Sequence, residues 1–202
     1  MGKTGVTRRE QTTNETRRII FDTAIELFSK KGYERVTVDD ICEQAGVAKG
    51  TFYNHFKSKN QVIIEEFLKI DDYYQEILVR LERKKSYIDK MITFITLAMR
   101  YINEQGVNAI KVAYQSQIGP GMTSSLIASH ERPLYRIVEK LVREAQEKGE
   151  ARTDISAAGI AQNLVRFSRG VIYEWCLQNG AFDLEQAGKE YLAVVLDGLR
   201  PR

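Results

Sequence analysis

Apolar residues recur at intervals of three and four along nearly the whole chain, separated by short stretches rich in glycine, serine or charge. That period is helical, and no strand-like alternation of apolar and polar residues persists long enough to compete with it. Residues 1–12 are polar and carry Arg8 and Arg9 without periodicity, so they read as a flexible basic arm. Thr12 with Glu15 then has the spacing of a capping box, and Ile20, Ala24, Leu27 and Phe28 share one helical face before Lys30-Lys31-Gly32 closes the segment. Thr37 with Asp40 repeats the capping spacing ahead of Val38, Ile41, Cys42 and Ala45, a stripe only about two turns long that stops at Gly46.

After Gly46-Val47-Ala48, the run KGTFYNHF sets Phe52 and Phe56 on one face at i, i+4. Ser58 with Gln61 opens a long helix striped by Ile63, Phe67, Ile70, Tyr74, Ile77 and Leu81, which reads as a connector between two units. Ser86 with Asp89 opens the next, where apolar residues from Ile88 to Ile102 surround the axis, as in a helix buried on most sides. Val107, Ile110 and Tyr114 continue it to a break at Gly119-Pro120-Gly121, followed by a short segment to about Ser129. Leu134 to Ala145 marks an amphipathic helix ended by Gly149, Ser156 starts a stripe that runs to Trp175, and Asp183 begins a last helix through Leu199. The expectation is an all-α protein of about nine or ten helices. Three parts are expected: the arm at 1–12, a small domain at 13–58 and a larger helical domain at 59–202.

Composition adds little until it is divided along the chain. Of a net charge of +3, residues 1–60 hold 11 Lys/Arg against 8 Asp/Glu, leaving 19 of each sign in 61–202, so all the excess is N-terminal. Within 46–60 the charged residues are Lys49, Lys57 and Lys59, with no acid, which suits a polyanion. The two cysteines, Cys42 and Cys176, are far apart and lack metal-ligand companions, so no disulfide framework or zinc site is expected, no cofactor either, and a reducing cytoplasm fits. No apolar run approaches the about 18 residues of a membrane span.

Two short helices around a glycine-containing turn, between Val36 and Phe56, meet the requirements of a helix-turn-helix. With Phe52 and Phe56 turned inward, the second helix offers Lys49, Gly50, Thr51, Tyr53, Asn54 and His55 outward, all hydrogen-bonding or phosphate-seeking types except the glycine, which lets a backbone come close. The stretch TVDDICEQAGVAKGTFYNHFKSKNQV, with the preceding FSKKGYERV, resembles the DNA-binding signature of the TetR family of transcriptional regulators over about residues 15–65. The resemblance implies a three-helix DNA-binding domain, a fourth helix leading to a divergent helical domain that binds ligands, and a homodimer on operator DNA. It places Lys49, Thr51, Tyr53 and His55 at the DNA surface, with Lys59 and Thr37 near phosphates and Arg17 or Arg18 in a similar role.

Beyond residue 65 no motif is comparably specific. Met91, Phe94, Tyr101 and Tyr114, with Tyr73, are candidates to line an apolar effector cavity, although such residues are also ordinary core. Ile137, Leu141 and Val142 on one late helix and Phe167, Val171 and Trp175 on another are candidates for the dimer interface, with Trp175 equally able to seal the monomer's own core. An enzyme would need a constellation that is hard to find: His55 and His130 are the only histidines, and no phosphate-binding glycine loop is present. The expected function is therefore a non-enzymatic, effector-responsive repressor, with a helical protein-binding adaptor or a small helical enzyme as alternatives.

Overall fold

The computed structural model describes residues 8–84, 86–118 and 127–201, and among them finds nine α-helices, one short 3-10 turn and no strand. The helices are α1 (Arg8–Lys31), α2 (Val38–Ala45), α3 (Lys49–His55), α4 (Lys59–Leu81), α5 (Tyr87–Gln105), α6 (Val107–Ile118), α7 (Pro133–Glu147), α8 (Ala157–Leu177) and α9 (Leu184–Asp197). Gly119-Pro120-Gly121 and the segment up to residue 126 lie outside the described residues.

The caps follow their sequence signatures. Thr37 accepts from the Asp40 amide at 3.1 Å while Asp40 accepts from the Thr37 amide at 2.8 Å, closing a reciprocal box at the start of α2. Ser58, Ser86, Ser156 and Asp183 accept from the amides of Gln61, Asp89, Gly159 and Gln186 in the same way. Gly46 ends α2 in the left-handed conformation at φ 66°, which costs a glycine nothing. Two boundaries differ from expectation. α1 starts at Arg8 rather than after Thr12, because Arg8, Arg9, Glu10 and Gln11 are good helix formers and need no apolar stripe to extend a helix already nucleated behind them. The expected continuous helix from Ser86 to Gly119 is divided at Gly106, which adopts φ 81° and separates α5 from α6.

The described chain forms two compact units, one of residues 8–67 with 112–118, the other of residues 68–111 with 127–201. In the first, Ile20, Ala24, Leu27 and Phe28 of α1, Val36, Ile41 of α2, and Phe52 and Phe56 are all nearly inaccessible to solvent, a single small core. In the second, α5 packs on α9 and α7, and α7 packs on α8. α5 and α9 approach closely where Gly188 meets Met99: a methyl group at 188 would stand 2.9 Å from the Met99 Cγ. The interior of this unit also holds an ion pair, the Arg132 guanidinium donating to both Asp71 oxygens at 3.1 and 2.7 Å and to the Ile127 carbonyl at 3.2 Å. Glu150 caps α5 from a distance in sequence, accepting from the Ser86 hydroxyl and the Tyr87 and Ile88 amides.

At the edge of the same unit, Glu185 of α9 accepts from the Arg100 guanidinium at 2.7 and 2.9 Å and from Lys189 at 2.8 Å. These bonds hold its carboxyl down at about 2, against an ordinary value of 4.5, Arg100 contributing most. A carboxyl lowered on folding stabilises the protein above its unfolded value and loses that contribution as pH falls toward its folded one. Glu185→Gln is therefore expected to lower stability at neutral pH and to flatten the pH dependence between about 4.5 and 2. Urea unfolding across that range checks this; a variant whose curve parallels the parent's would show that the pairing is not coupled to folding.

Candidate nucleic-acid interface

The rotation of α3 is set by two side chains. Phe52 and Phe56 are 0% and 1% exposed, with ring centroids 5.9 Å apart, and they pin one side of a helix only seven residues long. The opposite side is left to solvent. Lys49, Gly50, Tyr53 and Asn54 are exposed, with Tyr53 at 49%, and Thr51 and His55 are half-exposed between the two sides. All six residues expected on the outward side are thus at the surface, and Tyr53 is the large apolar group among them, its ring edge-on to Phe52 at 5.5 Å.

Several charged neighbours are used by the chain itself. The Arg17 guanidinium lies 4.5 Å from the centre of the Phe56 ring and donates to the His55 carbonyl at 3.3 Å, so it caps the end of α3 and lies on its aromatic anchor. Lys59, expected near phosphate, is turned to the backbone in the single chain: its ammonium donates to the carbonyls of Tyr33, Glu34 and Val36 at 2.9, 3.3 and 3.1 Å and stands 4.4 Å over the Tyr33 ring. All three of its hydrogens are spent on the turn that joins α1 to α2. Burial, with Glu34 adding a little, pushes the Tyr33 hydroxyl up to about 12. Thr37 is exposed, but its side chain is occupied by the cap of α2. Lys49 meets an acid to which the sequence reading assigned no role, Asp39 of α2, at 2.7 and 3.0 Å. Hydrogen bonding to Asp39, and its charge, raise the Lys49 ammonium above its ordinary value. Cys42 is buried behind this face, and burial raises its thiol further from ionisation.

What remains on the outward side is a convex strip of hydrogen-bonding groups on a short helix, the shape a major groove accepts. The sequence of residues 20–65 matches the profile of bacterial regulatory proteins of the tetR family. Over that segment the chain is similar to the tetR-family regulators. The HTH-type transcriptional repressor KstR2 of Rhodococcus jostii is 28% identical over 188 residues, covering 89% of each chain. Among solved structures, the fatty acid degradation regulator FadR of Bacillus halodurans superposes with a TM-score of 0.71 at 22% identity, covering 91% of this chain and 99% of its own. FadR of Bacillus subtilis, solved in complex with stearoyl-CoA, gives 0.69 at 19% identity, covering 91% and 99%. At those identities the superpositions speak for the TetR fold alone.

The other expected sites are distributed less simply. Tyr73 and Tyr101 do come together, stacked at 4.7 Å and partly exposed, while Met91 and Phe94 are 1% exposed and Phe94 packs on Tyr74 at 5.3 Å. Tyr114 belongs to the other compact unit. The six residues expected at a dimer interface divide between buried and exposed positions in the single chain. Ile137, Leu141 and Val142 are at most 6% exposed in the single chain, where α7 packs on α8. Trp175 is 3% exposed and its indole donates to the Phe182 carbonyl at 3.1 Å, so it seals its own unit. Val171 is half-exposed, and Phe167 stands 53% exposed on a strip of α8 that continues through Tyr173 and Leu177. No helix among the described residues is long and apolar enough to cross a membrane.

The division of labour on α3 has a direct consequence. Tyr53→Ala should cost no more than about 1 kcal/mol of stability, the edge-on contact with Phe52, while weakening duplex DNA binding at least tenfold, because half of its ring is open to solvent on the outward side. Phe52→Ala should instead cost about 3–5 kcal/mol of stability, since it empties the centre of the small core. Circular dichroism melts beside a fluorescence-anisotropy DNA titration distinguish them; equal stability losses in the two variants would contradict the assigned rotation of α3.

Proposed function

We propose that this chain is a TetR-family, effector-responsive transcriptional repressor that binds operator DNA as a homodimer through α3 and is released by a small-molecule effector. The observation that carries the reading is the exposed side of α3, with Gly50, Tyr53 and Asn54 held outward by buried Phe52 and Phe56. Thr51, Tyr53, Asn54 and His55 are the base-edge contacts in this reading, and Lys49, Thr37 and Arg17 flank them. The chain acts by binding rather than by catalysis, and the bacterial cytoplasm is its setting.

Two-fold symmetry is needed because one seven-residue helix reads too little sequence, and a pair seated in successive major grooves must be about 34 Å apart. The exposed apolar strip of Phe167, Tyr173 and Leu177 on α8, with Val194 of α9 at 76% exposure, is the surface proposed to pair. Effector entry is assigned to the second unit, beside the Tyr73–Tyr101 stack, where aromatic surface is partly open. The stearoyl-CoA bound by the Bacillus subtilis protein makes a long-chain acyl thioester the first compound to try. An effector shifts the equilibrium only by binding one dimer arrangement better than the other.

Selection of duplexes from a random pool by the purified protein tests the DNA-binding part, followed by titration of stearoyl-CoA and lauroyl-CoA against the selected duplex. Enrichment of a palindromic site, bound by a dimer and released at least tenfold by an acyl thioester, is the expected result. Failure to enrich any sequence would overturn the regulator reading; enrichment without release would overturn the acyl-thioester assignment alone. Phe167→Glu should give a monomer in sedimentation and lose operator affinity, whereas an intact dimer would move the interface elsewhere.

A further inference from the structure

The charges on the helix-turn-helix nearly cancel. Between Val36 and Asn60 the chain carries Asp39, Asp40 and Glu43 against Lys49, Lys57 and Lys59. Asp40 is committed to the Thr37 cap and lies 3.6 Å from Lys31, and Lys59 is committed to three backbone carbonyls. Lys49 is therefore the cation that α3 itself brings to its exposed side, and Asp39 faces it with both carboxylate oxygens at 2.7 and 3.0 Å. The two side chains are 55% and 71% exposed, so the pair adds little to stability. Its position is what matters: Lys49 is the first residue of α3, next to Gly50 and one turn from Tyr53.

From this geometry we infer that Asp39 is an intramolecular counter-ion which cancels Lys49 at the DNA surface, so that α3 docks through its uncharged side chains rather than by attraction to phosphate. The inference rests on the DNA-binding reading above. A cation standing alone at Lys49 would neutralise a phosphate and release a counterion, strengthening binding to any duplex whatever its sequence. With Asp39 bound to it, an approaching phosphate meets a neutral pair and must displace one carboxylate to gain one ammonium. An acid at a groove-facing position can also accept from a cytosine amino group. Here both oxygens are turned to Lys49, which favours the first role.

The pair makes an unusual demand on a mutant cycle. Asp39→Asn frees a positive charge, and should tighten binding to a random-sequence 25-base-pair duplex about tenfold at 50 mM salt while steepening the log–log salt dependence by about one. Lys49→Ala exposes the acid and should weaken the same binding by a similar factor. The double variant, like the parent, carries no net charge there and should bind as the parent does. Asp39→Glu, which keeps the carboxylate, should retain the parent's salt slope, an outcome that a merely structural role for Asp39 would not require. Anisotropy titrations of the full-length dimer over a range of salt, repeated on the selected operator, decide the matter. If Asp39→Asn leaves the random-duplex affinity and salt slope unchanged, or the double variant is as weak as Lys49→Ala, the counter-ion role is overturned. If Asp39→Asn weakens the operator alone, Asp39 reads a base and the inference is likewise overturned. A parent protein that binds no duplex at 50 mM salt would overturn the DNA-binding reading itself, and this inference with it.

Discussion

Two phenylalanine rings hold the rest in place. A helix of seven residues has no stability of its own in water, because nucleation costs more than so few hydrogen bonds return. α3 exists because Phe52 and Phe56 are buried with Phe28, Ile41 and their neighbours in a core shared with α1 and α2. Their i, i+4 spacing sets not only that the helix forms but which way it faces. The exposure of Tyr53, Asn54 and Lys49 follows from that rotation.

Polar contacts then lock the frame at points where apolar packing alone would leave the backbone loose. Arg17 of α1 reaches the last carbonyl of α3, and Lys59 at the start of α4 gathers three carbonyls of the turn between α1 and α2. Both cations thereby do structural work in a region whose composition suggests they wait for phosphate. The second unit uses the same device more deeply, with Arg132 and Asp71 paired inside and Glu150 gathering the first amides of α5. A buried ion pair is no cheap source of stability, but removing one partner strands the other. Its value here is to fix one relative placement of α4 and the start of α7 within that unit.

The helices, most of their caps and the outward side of α3 were legible because they depend on local chemistry: a Thr–Asp box, a glycine after the last turn, and apolar residues three and four apart. The early start of α1 was not, since Arg8 to Gln11 show no stripe and are helical by propensity alone. Nor was the interruption at Gly106, because apolar residues continue at helical spacing on both sides of it. The surface that pairs is harder to read from sequence. An amphipathic stripe says that a face is buried, not by whom: Ile137, Leu141, Val142 and Trp175 cover their own unit, whereas Phe167 on the same helix as Trp175 does not. Ion pairs between α2 and α3, such as Asp39 with Lys49, depend on how two helices cross and leave no trace in spacing.

The rotation of α3 can be read most directly by photocross-linking to an operator duplex substituted with 5-iodouracil, followed by mass spectrometry of the joined peptide. The account predicts adducts on the exposed side of α3, at Tyr53 or His55, and none on the strip of α8 that carries Phe167. Adducts confined to other helices, with α3 unmodified, would contradict it.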